Sequence, residues 1–372
     1  MRLRTCLFPC LGLLAACGSP DESFIGELTA PVVYGDDDRR EVFDHPSDDL
    51  RRVAQESIVA LIRASSIAPL PSGDYGLRTF TLKDSQGLCD DEPFGNQPVA
   101  ASCSGVLIAD DLVLTAGHCI SQQLPCEEFK YVFNYHLDAP NQLAFIRDED
   151  VYSCARVALE SDSPANDLTP DFAIIELDRP VEGDHTPVTI RPATAFQEGE
   201  PISMIGFGSG LPAKIDSGAA VADPRVDRGD FFVVNLDAFQ GHSGSATFDA
   251  ESRLAGILLG GRVPDYVTEP SEGCARANVF DDSLAGEIVH NIAPIVAALC
   301  DEELVSDEMC APDACDGSPC GVPSVPSPGG VGGTVSSDTS GCSAATNVPR
   351  STFGWAMLLL AFAVLRVRRT SV

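Results

Sequence analysis

Hydrophobic residues in the middle of the chain occur in short runs that Gly, Pro, Asp and Asn separate from one another. The clearest runs cover residues 106–108, 112–114, 131–133, 172–175, 202–207, 231–236 and 254–259. Short runs of Val, Ile, Leu and Phe between turn-forming residues are typical of strands rather than long helices. The pattern therefore predicts a mostly-β body.

A helical period is convincing only in residues 284–299. The apolar positions that repeat there at helical spacing are Leu284, Ile288, Ile292, Ile295, Val296 and Leu299. Residues three and four apart lie on one face of a helix, so this stripe predicts an amphipathic helix. We expect that helix to close the β body at its C-terminal end.

The N-terminal residues have the layout of an export signal. Arg2 and Arg4 precede a short apolar stretch, so residues 1–16 are predicted to be a signal peptide. Residues 14–18 (LAACG) resemble a bacterial lipobox, which implies lipidation of Cys17 as the new N-terminus. The alternative is ordinary signal cleavage, with Cys17 incidental. Residues 17–31 are then a linker or an inhibitory pro-segment.

The C-terminal residues indicate a second attachment. Residues 301–342 are acidic and then rich in Pro, Gly and Ser, as in a flexible spacer. An apolar run at 353–365, shorter than the ~20 residues of a membrane-spanning helix, precedes an Arg cluster. Residues 343–372 thus resemble the sorting tails of myxobacteria, which are cut and replaced by surface attachment. A short retained membrane anchor is the alternative.

Composition narrows the environment and the partners. The formal charge of the 372-residue chain is −31, which opposes binding to nucleic acid phosphates and anionic lipids. Its 44% apolar residues allow a sizeable core, and its 14 Cys point to an oxidising compartment. We expect an exported protein that is anchored at the cell envelope or surface through a lipid, the C-terminal tail or both, or is released outside the cell.

Three short segments carry candidate chemistry, in the order His, Asp, Ser. They are residues 112–119 (LVLTAGHC), 170–175 (PDFAII) and 240–246 (QGHSGSA). A serine hydroxyl needs an adjacent imidazole to remove its proton, and the imidazole needs a carboxylate to fix its tautomer. Backbone N–H groups must then stabilise the oxyanion, and a Gly two residues before the Ser lets the chain turn for this purpose. Each segment alone is common, but together they indicate nucleophilic catalysis.

The segments TAGHC (115–119), DFAI (171–174) and GHSGS (241–245) resemble the trypsin/chymotrypsin superfamily of serine proteases. The resemblance is closest to the bacterial branch related to the staphylococcal V8, or glutamyl endopeptidase-like, proteases. It implies an all-β protease domain over residues 32–300. The implied fold is a trypsin-like double six-stranded β-barrel with a C-terminal helix.

The resemblance also implies the roles of the site residues. His118 is the general base, Asp171 its orienting carboxylate and Ser243 the nucleophile, and the N–H groups of Gly241 and Ser243 form the oxyanion hole. Asp167 lies nearby, but only Asp171 directly precedes an apolar run. The implied enzyme is a serine endopeptidase that acts on protein or peptide substrates and needs no metal or organic cofactor.

Cysteine positions agree with the resemblance. Cys103 and Cys119 bracket the His segment, as does the disulfide most typical of the superfamily. We further pair Cys126 with Cys154 and then, by elimination, Cys89 with Cys274. The remaining cysteines of this region are expected to form two local bridges; they are Cys300, Cys310, Cys315 and Cys320.

The expected substrate contacts depart from both known patterns. Asp237 stands six residues before the nucleophile, where trypsin-like enzymes keep the carboxylate that binds Lys or Arg. Gln240, Leu258 and Gly260 complete the expected contacts, with Leu258 in place of the acid-binding His of the glutamyl branch. These residues favour a basic side chain at P1, the substrate residue that precedes the cleaved bond. The alternatives are an acidic P1 held by Arg262, a small or apolar P1, or no preference at P1.

Activation also departs from the trypsin pattern. His242 occupies the place where trypsin-type enzymes have the Asp that pairs with the new N-terminal amine. Residues 32–42 resemble the mature start of the V8-like branch, and the sequence leaves open whether Val32 is ever freed. The acidic run at residues 36–38 is either a solvated surface or a calcium site.

Two other functions remain compatible with the sequence. One is a binding module, such as an envelope adhesin, that keeps the barrels without the catalysis. The other is an esterase that uses the same side chains.

Overall fold

The computed structural model describes residues 33–310, except residues 122, 162–169, 226–228, 261–263 and 282–283. Several predictions fall outside these residues: the signal peptide, the linker or pro-segment with Cys17, most of the spacer and the sorting tail. Val32, Asp167, Arg262, Cys315 and Cys320 also lie outside them.

Short strands dominate the described residues, as the hydrophobic pattern predicts. In chain order the strands are β1 (Val33–Tyr34), β2 (Arg40–Glu41), β3 (Ile58–Arg63), β4 (Ile67–Pro69), β5 (Tyr75–Leu77), β6 (Phe80–Thr81), β7 (Pro98–Val99), β8 (Ala101–Ala109), β9 (Leu112–Thr115), β10 (Phe129–Val132), β11 (Leu137–Ala139), β12 (Gln142–Leu143), β13 (Val151–Glu160), β14 (Ala173–Leu177), β15 (Pro201–Gly206), β16 (Lys214–Asp223), β17 (Phe231–Val234), β18 (Ala246–Phe248), β19 (Leu254–Gly260), β20 (Tyr266–Glu269), β21 (Cys274–Ala277), β22 (Val279–Phe280) and β23 (Glu287–Asn291). The α-helices are α1 (Asp48–Glu56), α2 (Leu82–Gln86) and α3 (Ile292–Asp301). Single 3₁₀ turns cover Val42–Asp44, Ala64–Ser66, Gly117–Cys119, Cys126–Glu128, Asp148–Asp150 and Gly208–Gly210.

Two closed antiparallel barrels organise these strands. The first barrel closes in the order β10-β13-β14-β9-β8-β3. The second runs β15-β18-β19-β23-β17-β16 and closes through pairing of β15 with β16, while β2 adds to the outer edge of β16. The predicted all-β double six-stranded barrel is confirmed.

Each barrel has its own apolar interior, and a third apolar cluster joins them. Side chains from β8, β9 and β14 in the first barrel share this cluster with side chains from β15, β18 and β19 in the second and with α3. Burying one such aliphatic or aromatic side chain contributes about 1.5–3 kcal/mol. The shared cluster therefore fixes the two barrels against each other, and the candidate site residues lie where the barrels meet.

The predicted helix over residues 284–299 is only partly correct. Residues 287–291 form β23, because they pair with both β17 and β19 and complete the second barrel. Helix α3 begins at Ile292, after Asn291 accepts a hydrogen bond from the Ala293 N–H through its side chain. Sequence periodicity alone could not separate a strand that continues directly into a helix.

Disulfides fasten the loops of the described chain. The structure forms Cys103–Cys119, Cys126–Cys154 and Cys89–Cys274, and it pairs Cys300 with Cys310. Beyond α3, residues 301–310 are thus tied back, and Leu304, Val305 and Met309 pack against the core. The first ten residues of the predicted spacer therefore belong with the barrels. No helix in the described part of the chain is long and apolar enough to span a membrane.

The corrected start of α3 gives a stability prediction. Leu299→Ala removes a side chain that is 1% exposed and should cost about 2–5 kcal/mol of unfolding free energy. Leu284→Ala should change it by less than about 0.5 kcal/mol, because Leu284 is 54% exposed and precedes β23. Urea denaturation measures both changes. Equal losses would support the longer helix that the sequence predicts over residues 284–299.

Candidate active site

Strand pairing brings the His and Asp segments together. His118 lies in the turn that follows β9, and Ala173 at the start of β14 pairs with Thr115 at the end of β9. Asp171, two residues before β14, therefore reaches this turn. A Cβ atom at Gly117 would lie only 2.7 Å from Asp171 Oδ1, so the turn requires glycine there.

Hydrogen bonds connect the three candidate catalytic residues in one line. Asp171 Oδ1 accepts a hydrogen bond from the His118 backbone N–H at 2.8 Å, and Asp171 Oδ2 lies 2.7 Å from His118 Nδ1. His118 Nε2 lies 2.7 Å from Ser243 Oγ. With its proton on Nδ1, the imidazole presents an unprotonated Nε2 to the hydroxyl.

Asp171 is suited to remain ionised. Burial favours the neutral carboxyl, but the hydrogen bond and positive charge that His118 offers outweigh it and lower the pKa of Asp171. An ionised Asp171 holds the Nδ1 proton and stabilises the imidazolium that forms when His118 takes a second proton.

The nucleophile loop between β17 and β18 depends on two glycines with positive φ. Gly241 has φ +96° and Gly244 has φ +80°. A Cβ atom at Gly241 would lie 2.7 Å from the Phe207 carbonyl oxygen, and one at Gly244 would lie 2.2 Å from the Ser104 carbonyl oxygen. The GxSG pattern is thus required both by backbone conformation and by close packing.

Ser104 of β8 ties the nucleophile loop to the first barrel. Its backbone N–H donates to the Ser243 carbonyl at 2.9 Å, and its hydroxyl donates to the Gly241 carbonyl at 2.8 Å. The same hydroxyl accepts from the Phe207 N–H at 3.0 Å. Sequence reasoning missed Ser104, since its only signal was a polar residue beside Cys103 in a buried strand.

Two peptide groups of the loop are oriented by their carbonyls. The Gln240 carbonyl accepts from the Ser209 N–H at 2.5 Å, and the His242 carbonyl accepts from the Ser245 N–H at 2.8 Å. In a trans peptide the C=O and N–H point in opposite directions, so the N–H groups of Gly241 and Ser243 point away from these contacts. Within the described residues neither N–H donates to a protein acceptor.

His242 is a buried neutral residue. Its Nδ1 accepts from the Phe239 N–H at 3.1 Å, and a Cβ atom at Gly208 would lie 2.4 Å from its ring. Burial, with the positive charges of Arg39 and Lys214, lowers the pKa of His242 to about 3. At the position where trypsin-type enzymes have an Asp, His242 therefore provides an uncharged hydrogen-bond acceptor.

Of the expected substrate contacts, Gly260 and Gln240 lie at accessible positions. Gly260 has φ +119°, and a Cβ atom there would lie 3.6 Å from Ser243 Oγ, so the glycine leaves space beside the nucleophile. Gln240 is exposed, and its N–H donates to Asp265 Oδ2 at 2.8 Å. Leu258 is fully buried in the core of the second barrel.

Asp237 does not have the position that the sequence analysis gave it. The residue is 2% exposed, and its two carboxylate oxygens accept hydrogen bonds from the Tyr34 N–H at 2.9 Å and the Asp38 N–H at 2.8 Å. Its own N–H donates to Asp216 Oδ2 at 2.7 Å. The carboxylate is occupied by backbone amides of a distant segment, which the sequence gave no means of placing there.

That segment, residues 33–41, supports the nucleophile loop from outside. β1 pairs in parallel with β22, and Val33 packs against Phe239. The Arg39 guanidinium lies 3.8 Å from the centre of the Phe239 ring and is held by Asp37 at 2.8 and 2.7 Å. Asp37 is thus one member of a packed ion pair, whereas Asp36 and Asp38 are exposed.

One group of described residues has the composition of a metal site. Cys89, Glu272 and Cys274 place possible ligand atoms close together. The two sulfurs are joined in a disulfide, so neither is available as a thiolate ligand.

The described residues thus combine two closed six-stranded barrels with a hydrogen-bonded line of Asp171, His118 and Ser243. Residues 103–257 of the chain match the family described as trypsin-like peptidase domain.

Individual proteins are also similar to the chain, among them the following two. The mouse peroxisomal leader peptide-processing protease is 31% identical over 160 residues, which are 42% of this chain and 24% of that protein. The chain thus spans about a quarter of the length of that relative. A structure of Glu endopeptidase in complex with MPD is 17% identical and covers 73% of this chain and 100% of its own, with a TM-score of 0.42.

The contacts of Ser104 predict a positioning role. Ser104→Ala removes the donor that holds the Gly241 carbonyl, so the loop backbone between the N–H groups of Gly241 and Ser243 should be held less firmly. We expect kcat on a peptide substrate to fall about tenfold, as for a weakened oxyanion contact, with KM changed less than about twofold. The conservative Ser104→Thr variant should recover part of kcat. Equal losses in both variants, together with lower stability, would indicate a packing role only.

The buried carboxyl groups of Asp216 and Asp237 predict that the stability of the protein depends on pH. Burial raises the pKa of Asp216 to about 6, and burial with the neighbouring Asp216 raises that of Asp237 to about 8. Carboxyls with a raised folded-state pKa contribute stability that is complete below their unfolded pKa, near 4, and is lost as pH rises through the folded value. Unfolding free energy should therefore fall between about pH 5 and pH 8.

Asp237→Asn removes one of these groups and should flatten that decline. It should also lower stability at pH 5, because an amide offers one acceptor oxygen instead of two. Urea denaturation at both pH values measures the change, with the exposed Asp36→Asn as the control. If the unfolding free energy of Asp237→Asn falls with pH as steeply as that of the unsubstituted protein, Asp237 does not cause the decline.

Proposed function

We propose that the protein is a serine endopeptidase that hydrolyses peptide bonds through an acyl-enzyme intermediate. The observation that carries this proposal is the hydrogen-bonded line from Asp171 through His118 to Ser243, with both side-chain distances at 2.7 Å. Such alignment of nucleophile, base and orienting carboxylate is the geometry that hydroxyl activation requires.

The reaction then follows from the placement of each group. His118 Nε2 accepts the Ser243 hydroxyl proton while Oγ forms a bond to the substrate carbonyl carbon. The N–H groups of Gly241 and Ser243 stabilise the resulting oxyanion. His118 returns the proton to the leaving amine as the C–N bond breaks, and a water molecule, deprotonated by His118, hydrolyses the ester.

The geometry favours catalysis over a binding module. A protein that only binds through its barrels needs neither the three-residue line nor the two outward N–H groups of the loop. An esterase shares all of these features, so peptide and ester substrates of matched acyl group separate the two enzymatic functions. Endopeptidase action is the stronger proposal, because the matched domain is that of peptidases.

Export and attachment to the cell envelope form part of the proposal. The four disulfides of the described residues support an oxidising compartment. Lipidation at Cys17 and sorting through residues 343–372 are the proposed means of attachment. The formal charge of −31 supports peptide substrates over nucleic acid as partners.

Removing the nucleophile or the base tests the proposal directly. Ser243→Ala and His118→Ala should each lower kcat by several orders of magnitude and leave far-ultraviolet circular dichroism unchanged. A fluorophosphonate should label the unsubstituted protein and not Ser243→Ala, and the exposed Ser72→Ala serves as the control. A disulfide-complete protein that neither reacts with the probe nor cleaves peptides would instead be a binding module.

A further inference from the structure

The carbonyl of Gln240 belongs to the same peptide group as the Gly241 N–H, one of the two proposed oxyanion donors. The orientation of that peptide group therefore decides whether the N–H can reach the oxyanion. The Gln240 carbonyl accepts a hydrogen bond from the Ser209 N–H at 2.5 Å. Any change that separates Ser209 from Gln240 should thus free the peptide group to rotate, and the Gly241 N–H with it.

Two consecutive residues, Asp265 and Tyr266, hold the two partners of this hydrogen bond. Asp265 Oδ2 accepts from the Gln240 N–H at 2.8 Å, and the Tyr266 hydroxyl lies 2.8 Å from Ser209 Oγ, where either oxygen can donate. Asp265 thus binds the residue that accepts the hydrogen bond, and Tyr266 binds the residue that donates it. Together the two residues keep Gln240 and Ser209 within hydrogen-bond distance of each other.

Ser209 needs such a contact because of its backbone conformation. Its φ is +55°, within the 3₁₀ turn Gly208–Gly210. A residue with a side chain is less stable in this left-handed conformation than in an extended or helical one, so surrounding contacts must hold it there. The hydrogen bond between the hydroxyls of Ser209 and Tyr266 is one of these contacts. Its loss should favour rotation of the Ser209 N–H away from Gln240.

Asp265 and Tyr266 are themselves anchored outside the nucleophile loop. The Asp265 carbonyl accepts from the Asn278 N–H at 3.0 Å, and Tyr266 pairs with Ala277 in the hairpin of β20 and β21. The Cys89–Cys274 disulfide ties this hairpin to the segment between β6 and β7. The two residues therefore have fixed positions from which they can hold the mobile partners of the loop.

We propose that Asp265 and Tyr266 are positioning residues of the oxyanion hole, which hold Gln240 and Ser209 together so that the Gly241 N–H keeps its direction. The inference rests on the proposed endopeptidase function. Both residues act through the peptide group that joins Gln240 to Gly241. Their loss should therefore weaken stabilisation of the oxyanion in the transition state more than binding of the substrate.

The first test removes the acceptor of the Gln240 N–H in the full chain. Asp265→Ala should lower kcat on a peptide substrate about tenfold and change KM less than about twofold, since the oxyanion donor is loosened rather than deleted. Asp265→Asn keeps an acceptor oxygen and should recover most of kcat.

Asp178→Ala is the matched control for Asp265→Ala. Asp178 Oδ1 also accepts a backbone N–H, from Ser153 at 3.2 Å, but Asp178 follows β14 whereas Asp171 precedes it. The control therefore loses the same kind of hydrogen bond at the end of β14 that lies away from the site. Its kcat should stay within about twofold of that of the unsubstituted protein.

The second test uses Tyr266→Phe, which keeps the aromatic ring and removes only the hydroxyl that binds Ser209. Its kcat should fall at least about threefold with little change in KM. A peptidyl trifluoromethyl ketone forms an adduct with Ser243 that carries an oxyanion. Its affinity should fall in Tyr266→Phe and Asp265→Ala by the same factor as kcat/KM, which a role in packing alone would not produce.

The inference is overturned if Asp265→Ala and Tyr266→Phe keep kcat/KM and ketone affinity as the control does, or if Asp265→Asn loses as much as Asp265→Ala. Should Asp265→Ala not fold, Tyr266→Phe decides alone. An unsubstituted protein that neither cleaves peptides nor reacts with a fluorophosphonate contradicts the proposed function, and this inference with it. An active protein whose two variants are equally active contradicts the inference alone.

Discussion

The active arrangement depends on the contact between β8 and the nucleophile loop. Ser104 uses its N–H for the Ser243 carbonyl and its hydroxyl for the Gly241 carbonyl, so one residue of the first barrel fixes a loop of the second. His118 and Asp171 belong to the first barrel and Ser243 to the second. The apolar cluster between the barrels holds them together, while this contact fixes the position of the nucleophile loop.

Burial divides the acidic residues near the loop into two kinds. Asp171 faces His118 and stays charged, since the hydrogen bonds that it accepts from His118 compensate its desolvation. At Asp216, Asp237 and Glu287 burial outweighs the contacts that favour the ionised carboxyl, so each pKa is raised and the neutral form is favoured. The same side-chain chemistry therefore gives an ionised carboxylate beside His118 and neutral carboxyl groups in the interior.

The sequence predicted the strands and the triad segments because both leave local signals. Apolar runs separated by turn-forming residues indicate barrel strands. Several positions are constrained in each of the three motif segments, GHC, DFA and GHSGS. The place of Asp237 was not predictable, since its partners are backbone amides with no residue-specific signal. Glu287 stands in an apolar stripe that resembled a helix, and only the pairing of β23 shows that it belongs to a strand.

Residues 33–41 have a consequence for the order in which the protein becomes active. Tyr34 and Asp237 are separated by 203 positions, and Val33 pairs with Val279. Contacts of such high sequence separation form late, because loop closure must precede them. During synthesis the support of the nucleophile loop is therefore incomplete until nearly all of residues 33–279 have emerged. Contact order alone thus delays completion of the site until the barrels are assembled.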